Sequence, residues 1–255
     1  MASKKVRVDS LLVDRGLAES RSRAQALILA GLVFSGERRV EKPGDQLPAD
    51  AAVEVRGRDH PWVSRGGVKL AHALEHFAID PTGVVALDVG ASTGGFTDVL
   101  LQKGAAKVYA VDVGHGQLDW RLRSDPRVVV LERTNARHLD AATIPEPVAV
   151  IVCDASFIGL RAVLPAALSL AAPDAVLVAL IKPQFEVGKG EVGKGGVVTD
   201  PEKHRAVCEA AVAWLSEEMG WSVLGVTESP IKGPSGNTEF LVAARRNTGA
   251  AKASA

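Results

Sequence analysis

Residues 87–97, LDVGASTGGFT, constrain this chain more than any other stretch. They continue an apolar, largely β-branched run (Val84, Val85, Leu87, Val89) that carries Asp88 near its end. The run then opens into a loop of Gly and Ser, the pattern of a buried strand leading to a ligand-holding turn. Residues 96–103, closed by Gly104, read as a helix with its C-terminal stop. Strand, glycine turn and helix make a nucleotide-type site, because glycines let a ligand approach the backbone and a helix N-terminus offers free N–H groups. After Gly90 the next glycines are Gly94 and Gly95, so the GxGxxG spacing that seats a pyrophosphate is absent. A plain strand-to-helix connection has the same look, and residues elsewhere must decide between them.

At 255 residues the chain fits one large domain, or an ordinary one with a small companion. Thirty basic and thirty acidic residues cancel, so no global field draws it to nucleic acid and local patches must carry such a partner. One candidate patch is the first forty residues, with eight Lys or Arg against four acids. Cys153 and Cys208 stand far apart without CxxC or His-rich company, which points to reduced structural thiols and to neither a disulfide framework nor a metal site. The start, MASKKVRVDS, lacks the apolar core of a secretory signal, and no window is apolar for the roughly 18 residues a membrane helix needs. A cytoplasmic protein without membrane partners is expected.

In chain order, residues 8–15 read as a short helix closed by Gly16, and a second helix runs from Ser20, a good cap, to a stop at Gly31. Residues 32–35, the turn Gly36-Glu37 and Arg39-Val40 suggest a hairpin, with 52–55 as a third strand. This is a compact α+β module with arginines on its second helix and hairpin, which equally describes a solvated helix face. Residues 56–67 mix Pro, Gly and charge without period, so a boundary falls there, with Trp62 expected to dock one domain on the other. From Val68 a helix is followed by strands at 84–89, 107–111, 128–131, 148–153 and 175–181, with helical stretches between most of them. That order predicts a mostly parallel α/β sheet with helices on both faces. Asp200-Pro201 starts another helix, and 221–227 and 240–244 supply the last strands. The expected division is 1–58 for the small domain, 59–67 for a linker, 68–246 for the α/β domain and 247–255 for a disordered tail.

Ligands of open α/β sheets sit at the carboxyl ends of the strands, where Asp88, Asp112 and Asp154 each fall. A single such acid commonly caps a loop, but three at equivalent positions favour a nucleoside ligand, with the acid after the second strand on a ribose diol. Lys182 ends the fifth strand and Lys69 lies on the helix before the sheet. A lysine becomes a competent base when burial and a second cation favour its neutral form, whereas a carboxylate beside it does the opposite.

Two resemblances attach to these residues. The skeleton formed by Arg7, Asp9, Leu11, Leu12, Gly16, Ser20, Arg21, Ala24, Ile28, Gly31, Val33 and Gly36 resembles the α-L RNA-binding module of a small-subunit ribosomal protein and many pseudouridine synthases. Lys69 in WVSRGGVKL, Asp154 in VCDASF, Lys182 in LIKPQFE and Glu239 in GPSGNTEF match the Lys-Asp-Lys-Glu tetrad of Rossmann-like class I methyltransferases that act on ribose 2′-hydroxyls. With the module in front, and with DVGASTGGFT, LERTNAR, KPQFEVGKG and GPSGN, the chain is similar to the TlyA family of rRNA 2′-O-methyltransferases, whose members also carry hemolysin names. It departs from the family at the junction, where His60 and Pro61 precede Trp62 and Val63.

The resemblance implies S-adenosylmethionine as cofactor and ribosomal RNA or a ribosomal subunit as partner, cytidine being the expected nucleotide. It implies Lys182 as general base, Lys69 favouring its neutral form, and Asp154 and Glu239 fixing geometry. The implied cofactor residues are Asp88, Gly90, Ala91, Ser92, Gly94, Gly95, Asp112, Val113, Asn135 and Asp154, and the implied RNA contacts are Lys4, Arg7, Arg21, Arg23 and Arg65. The glycine-rich loop 188–196 could close on RNA or be a plain surface loop. An adenine amino-methyltransferase is disfavoured, because Asp154 is followed by Ala155, Ser156 and Phe157 rather than by a Pro-Pro-aromatic string. Carbon methylation needs a cysteine nucleophile, and Cys153 reads as core. A membrane-acting hemolysin finds no spanning segment and no barrel-like alternation.

Overall fold

The apolar runs become the strands of a central sheet, and their side-chain alternation decides which layer each residue joins. In the computed structural model, which describes residues 5–247 apart from Glu19, Ala30, residues 57–59, Lys189 and Pro234, the chain divides into two compact units, Met1–Pro61 and Trp62–Ala255.

The first unit runs β1 (Lys5–Arg7), α1 (Val8–Asp14), α2 (Arg21–Leu29), β2 (Val33–Ser35), β3 (Arg38–Arg39), β4 (Gln46–Pro48) and β5 (Val53–Val55). Ser20 Oγ accepts from Arg23 N at 3.2 Å and starts α2, as the sequence predicts. Val8, Leu12, Ala24, Leu27, Ile28 and Val33 close the core between the helices and the β3-β2-β5 sheet. The two-stranded ribbon of β1 with β4 is absent from the sequence expectation, because each strand is only three residues long and neither alternates apolar with polar over a readable length.

The second unit begins with α3 (Gly66–His76) and continues β6 (Val85–Val89), α4 (Gly95–Gln102), β7 (Lys107–Val111), α5 (Trp120–Arg123) and β8 (Val128–Leu131). It then runs β9 (Val148–Cys153), α6 (Leu160–Ser169), β10 (Ala171–Ile181), α7 (Pro183–Glu186), α8 (Pro201–Ala213), β11 (Trp221–Glu228) and β12 (Phe240–Arg246). The sheet order is β11-β12-β10-β9-β6-β7-β8; β6 to β10 pair in parallel and β12 is antiparallel to both neighbours. The chain winds one way from β6 to β8, then returns to place β9 on the other side of β6. The crevice that this reversal opens at the carboxyl ends of β6 and β9 is where such sheets bind ligands.

Alternation along each strand assigns its residues to two layers. Ala86, Val108, Val152 and Leu180 pack with Leu70 and Leu74 of α3 and Leu100 of α4. Leu87, Val111, Ile151 and Leu177 pack with Leu164 of α6, Val207 of α8, and Trp214 and Leu215 of the π-helical turn that continues it. Helices thus cover both faces, as the strand pattern predicts. Only a 3₁₀ turn, Ala136–His138, separates β8 from β9.

The structure places residues 62–67, expected as linker, in the second unit. Val63 N donates to Asp98 Oδ2 at 2.7 Å, and Trp62 lies so close over Gly67 that a Cβ there would meet its Cγ at 2.3 Å. α3 therefore starts at Gly66, ahead of Val68. β10 starts at Ala171 rather than 175, with a register shift between Ala171 and Val176 around Pro173 and Asp174. Residues 248–255 of the expected tail lie outside the described residues.

Candidate active site

The turn after β6 is shaped by local backbone demands. Gly90 has φ +85°, and a Cβ there would come within 2.9 Å of the Ala155 backbone; Gly94 has φ +96° at the N-terminal boundary of α4, and a Cβ there would meet Leu122 Cδ1 at 2.2 Å. The turn is glycine-rich because neighbouring chain segments press on it. Beneath it Asp88 is fully buried, and its Oδ2 accepts from Thr97 N at 2.9 Å and Thr97 Oγ1 at 2.7 Å. Burial pushes its carboxyl up to about 7, with Asp154 and Asp112 adding to the rise and the Thr97 bonds opposing it.

At the carboxyl ends of β6, β7 and β9 lies a cavity of about 780 Å³. Of the cofactor candidates, Gly90, Ser92, Asp112, Val113, Asn135 and Asp154 line it. Asp88, Ala91, Gly94 and Gly95 do not; they build the turn from behind. Asp112 is held by its own loop, with Oδ2 accepting from Ser92 N at 2.8 Å and Oδ1 from Gly114 N at 2.7 Å. Each oxygen keeps a lone pair for a vicinal diol. Asn135 Oδ1 accepts from Arg137 N at 3.1 Å, so this residue caps the 3₁₀ turn as well as lining the cavity. The volume lies within the range of cofactor pockets. Apolar walls (Val111, Val113, Ile158) and two carboxylates suit a cationic nucleoside such as S-adenosylmethionine and disfavour a pyrophosphate.

Four polar side chains from distant parts of the chain meet next to this cavity. Lys69 of α3 donates to Glu239 Oε2 at 2.6 Å, and its Nζ lies 3.7 Å from Asp154 Oδ2. Lys182 Nζ lies 2.7 Å from Asp154 Oδ1, and it donates to the Asp154 carbonyl at 3.2 Å and to Ser156 Oγ at 2.8 Å. Lys69, Lys182 and Glu239 are almost wholly buried. Two cations and two carboxylates in one small volume compensate one another, the condition under which buried charges persist. Each lysine has a carboxylate as its nearest charged partner, Glu239 for Lys69 and Asp154 for Lys182.

Some residues escape the sequence reading. Ser156 carries no motif of its own, and only the turn after β9 brings it to Lys182. Phe157, 90% exposed with φ +65°, has its ring 5.2 Å from that of Phe185 at the cavity rim. Cys153 is buried in the core and burial pushes its thiol up to about 12, which removes it as a nucleophile.

In the first unit Arg7 and Arg21 converge on one buried acid. Asp9 Oδ2 accepts from Arg7 at 2.7 Å, Arg21 at 3.1 Å and Gln25 at 3.0 Å, while both arginines stay about half exposed. Arg23 follows on the same helix, and Arg65 sits at the N-terminal boundary of α3. Lys4 lies outside the described residues. Among the described residues no group of three or more His, Cys, Asp or Glu is placed to hold a metal, and no helix is long and apolar enough to cross a membrane.

Comparison with known proteins gives the family. The FtsJ-like methyltransferase family matches residues 62–246, and the S4 domain matches residues 6–53. The chain is 53% identical over 247 residues to the 16S/23S rRNA (cytidine-2′-O)-methyltransferase TlyA of Mycobacterium tuberculosis, covering 96% of this chain and 92% of that one. It is 40% identical to Hemolysin A of Brachyspira hyodysenteriae, covering 92% and 98%. A solved structure of a hemolysin-named protein from Streptococcus thermophilus superposes with a TM-score of 0.77 at 40% identity, covering 97% and 90%. With its buried tetrad, its acid-lined cavity and its leading S4 domain, the chain belongs to the FtsJ-like methyltransferases and, among them, to the TlyA family.

Proposed function

We propose that this methyltransferase transfers a methyl group from S-adenosylmethionine to the 2′-hydroxyl of a cytidine in ribosomal RNA, in the cytoplasm, with Lys182 as general base. The observation that carries this reading is the meeting of Lys182, Asp154, Lys69 and Glu239 in one buried cluster at the edge of the cavity. When bound, S-adenosylmethionine supplies a methyl group already activated by its sulfonium. Asp112 would hold the ribose of that cofactor, Asn135 and Val113 would line its adenine, and the turn at Gly90 would pass beside it.

The remaining work belongs to the tetrad. Lys182 takes the proton of the substrate 2′-hydroxyl, which leaves an oxygen nucleophile. Asp154 fixes the Lys182 amine through both its side chain and its carbonyl. Lys69, itself held by Glu239, faces Asp154 from the other side, and the pair keeps the cluster electrically balanced. Arg7, Arg21 and Arg23 of the S4 domain grip RNA phosphates, reading shape and backbone more than sequence.

The test is a map of 2′-O-methyl marks on rRNA treated with the wild-type protein or with Lys182→Ala. The wild type adds marks at cytidine, whereas the variant loses activity about a hundred- to ten-thousand-fold and retains RNA binding. Full turnover in the variant, or marks on bases rather than on ribose, would overturn the reading.

A further inference from the structure

We propose that Ser156 relays the proton from the ribose hydroxyl to Lys182, an inference that rests on Lys182 being the base. Ser156 is exposed and lines the cavity, whereas Lys182 is 6% exposed and is not among the lining residues. The link between the two is the 2.8 Å hydrogen bond from Lys182 Nζ to Ser156 Oγ.

The chemistry of the three groups around Nζ singles out the serine. The Asp154 carbonyl and carboxylate oxygens only accept, while a hydroxyl both accepts and donates. Nζ donates to the Asp154 carbonyl and to Ser156 Oγ, and faces the Asp154 carboxylate at 2.7 Å. A neutral amine has two N–H bonds and one lone pair. Neither oxygen of Asp154 can donate to that lone pair, whereas the Ser156 hydroxyl, 2.8 Å away, can turn to do so.

The relay then balances. The 2′-O–H bond breaks and its proton joins Ser156 Oγ; at the same time the Oγ–H bond breaks and that proton joins Lys182 Nζ. The electron pair of the broken 2′-O–H bond stays on the ribose oxygen. In the transfer that follows, it would form the new bond to the methyl carbon as the carbon–sulfur bond of the donor breaks and leaves its pair on sulfur. Ser156 ends as it began, and Lys182 ends as the ammonium.

Single-turnover methylation of rRNA by the full-length protein tests this, with Ser156→Ala, Ser156→Thr and Lys182→Ala compared. We expect Ser156→Ala to slow the step about a hundredfold with RNA and cofactor affinities unchanged, and Ser156→Thr, which keeps the hydroxyl, to recover to within about tenfold of wild type. In mixtures of H₂O and D₂O the wild-type rate curves downward, as for two protons moving together, and the residual Ser156→Ala rate varies linearly. A Ser156→Ala rate within twofold of wild type while Lys182→Ala is inactive overturns the relay alone. So does a linear wild-type dependence, or a Thr variant as slow as Ala. Full activity in Lys182→Ala overturns the base assignment itself.

Discussion

Lys69 and Glu239 form a buried ion pair: Nζ lies 2.6 Å from Oε2, and the two side chains are 8% and 1% exposed. The pair ties the first helix of the methyltransferase unit to the start of its last strand, 170 residues away. Removing one member leaves a charge stranded in the core, which costs far more than removing both. Glu239→Ala is therefore expected to lower stability by about 3–5 kcal/mol, and Lys69→Met combined with Glu239→Leu to regain most of it without regaining methylation. Denaturant unfolding of both variants checks this. Equal losses in the single and double variants would contradict it.

Asp112 is pinned by two backbone N–H groups, so its carboxylate needs no reorganisation to receive a diol. Asp112→Ala should weaken S-adenosylmethionine binding about ten- to a hundredfold, the loss of charged hydrogen bonds, and leave RNA affinity unchanged. Calorimetric titration with the cofactor alone reads the first effect. An unchanged Kd would place the ribose elsewhere.

The buried Asp88 carboxyl, raised to about 7 by desolvation, holds a proton in the folded state at pH values where the unfolded chain has lost it. Its contribution is thus most favourable below about pH 4, and is lost as pH rises from about 4 to about 7. Asp88→Asn cannot ionise. Its stability relative to wild type should rise across that window by roughly 2–4 kcal/mol, as guanidinium unfolding at several pH values would measure. Parallel curves would show that Asp88 does not titrate there.

Asp9 has the opposite sign. The Arg7 guanidinium, helped by Gln25 and Arg21, holds its carboxyl well below the usual range against the cost of burial. The stability it gives is present above the ordinary carboxylate range and is lost as pH falls through and below it. In Asp9→Asn, hydrogen-exchange protection in α1 and α2 should drop about ten- to a hundredfold at pH 7 relative to wild type, with the gap closing in acid. A gap independent of pH would assign the effect to shape alone.

Arg21→Ala with Arg23→Ala should weaken rRNA binding and flatten its dependence on salt by about two phosphate contacts. Filter binding across a salt series gives the slope, and an unaltered slope would remove these arginines from the RNA face.

The sequence by itself determined the two-unit order, the parallel α/β sheet, the glycine turn after β6 and the capped helices, because each is written in local periodicity and local backbone demands. Its Asp112 assignment follows from a strand end and its Asn135 assignment from the family resemblance, and both residues line the cavity. Other features exist only once the chain is folded. Lys69, Asp154, Lys182 and Glu239 have no periodicity that joins them, and it is the return of β12 antiparallel between β10 and β11 that brings Glu239 to Lys69. The turn LDVGASTGGFT is likewise divided by tertiary packing: Gly90 and Ser92 line the cavity, while Asp88, Gly94 and Gly95 support it from behind. Ser156 draws its importance from Lys182, 26 residues away, and Asp9 adds Arg21 and Gln25 of the next helix to its near neighbour Arg7. A charge buried by folding takes its energy from whatever the fold places within a few ångströms, and no reading along the chain can supply that distance.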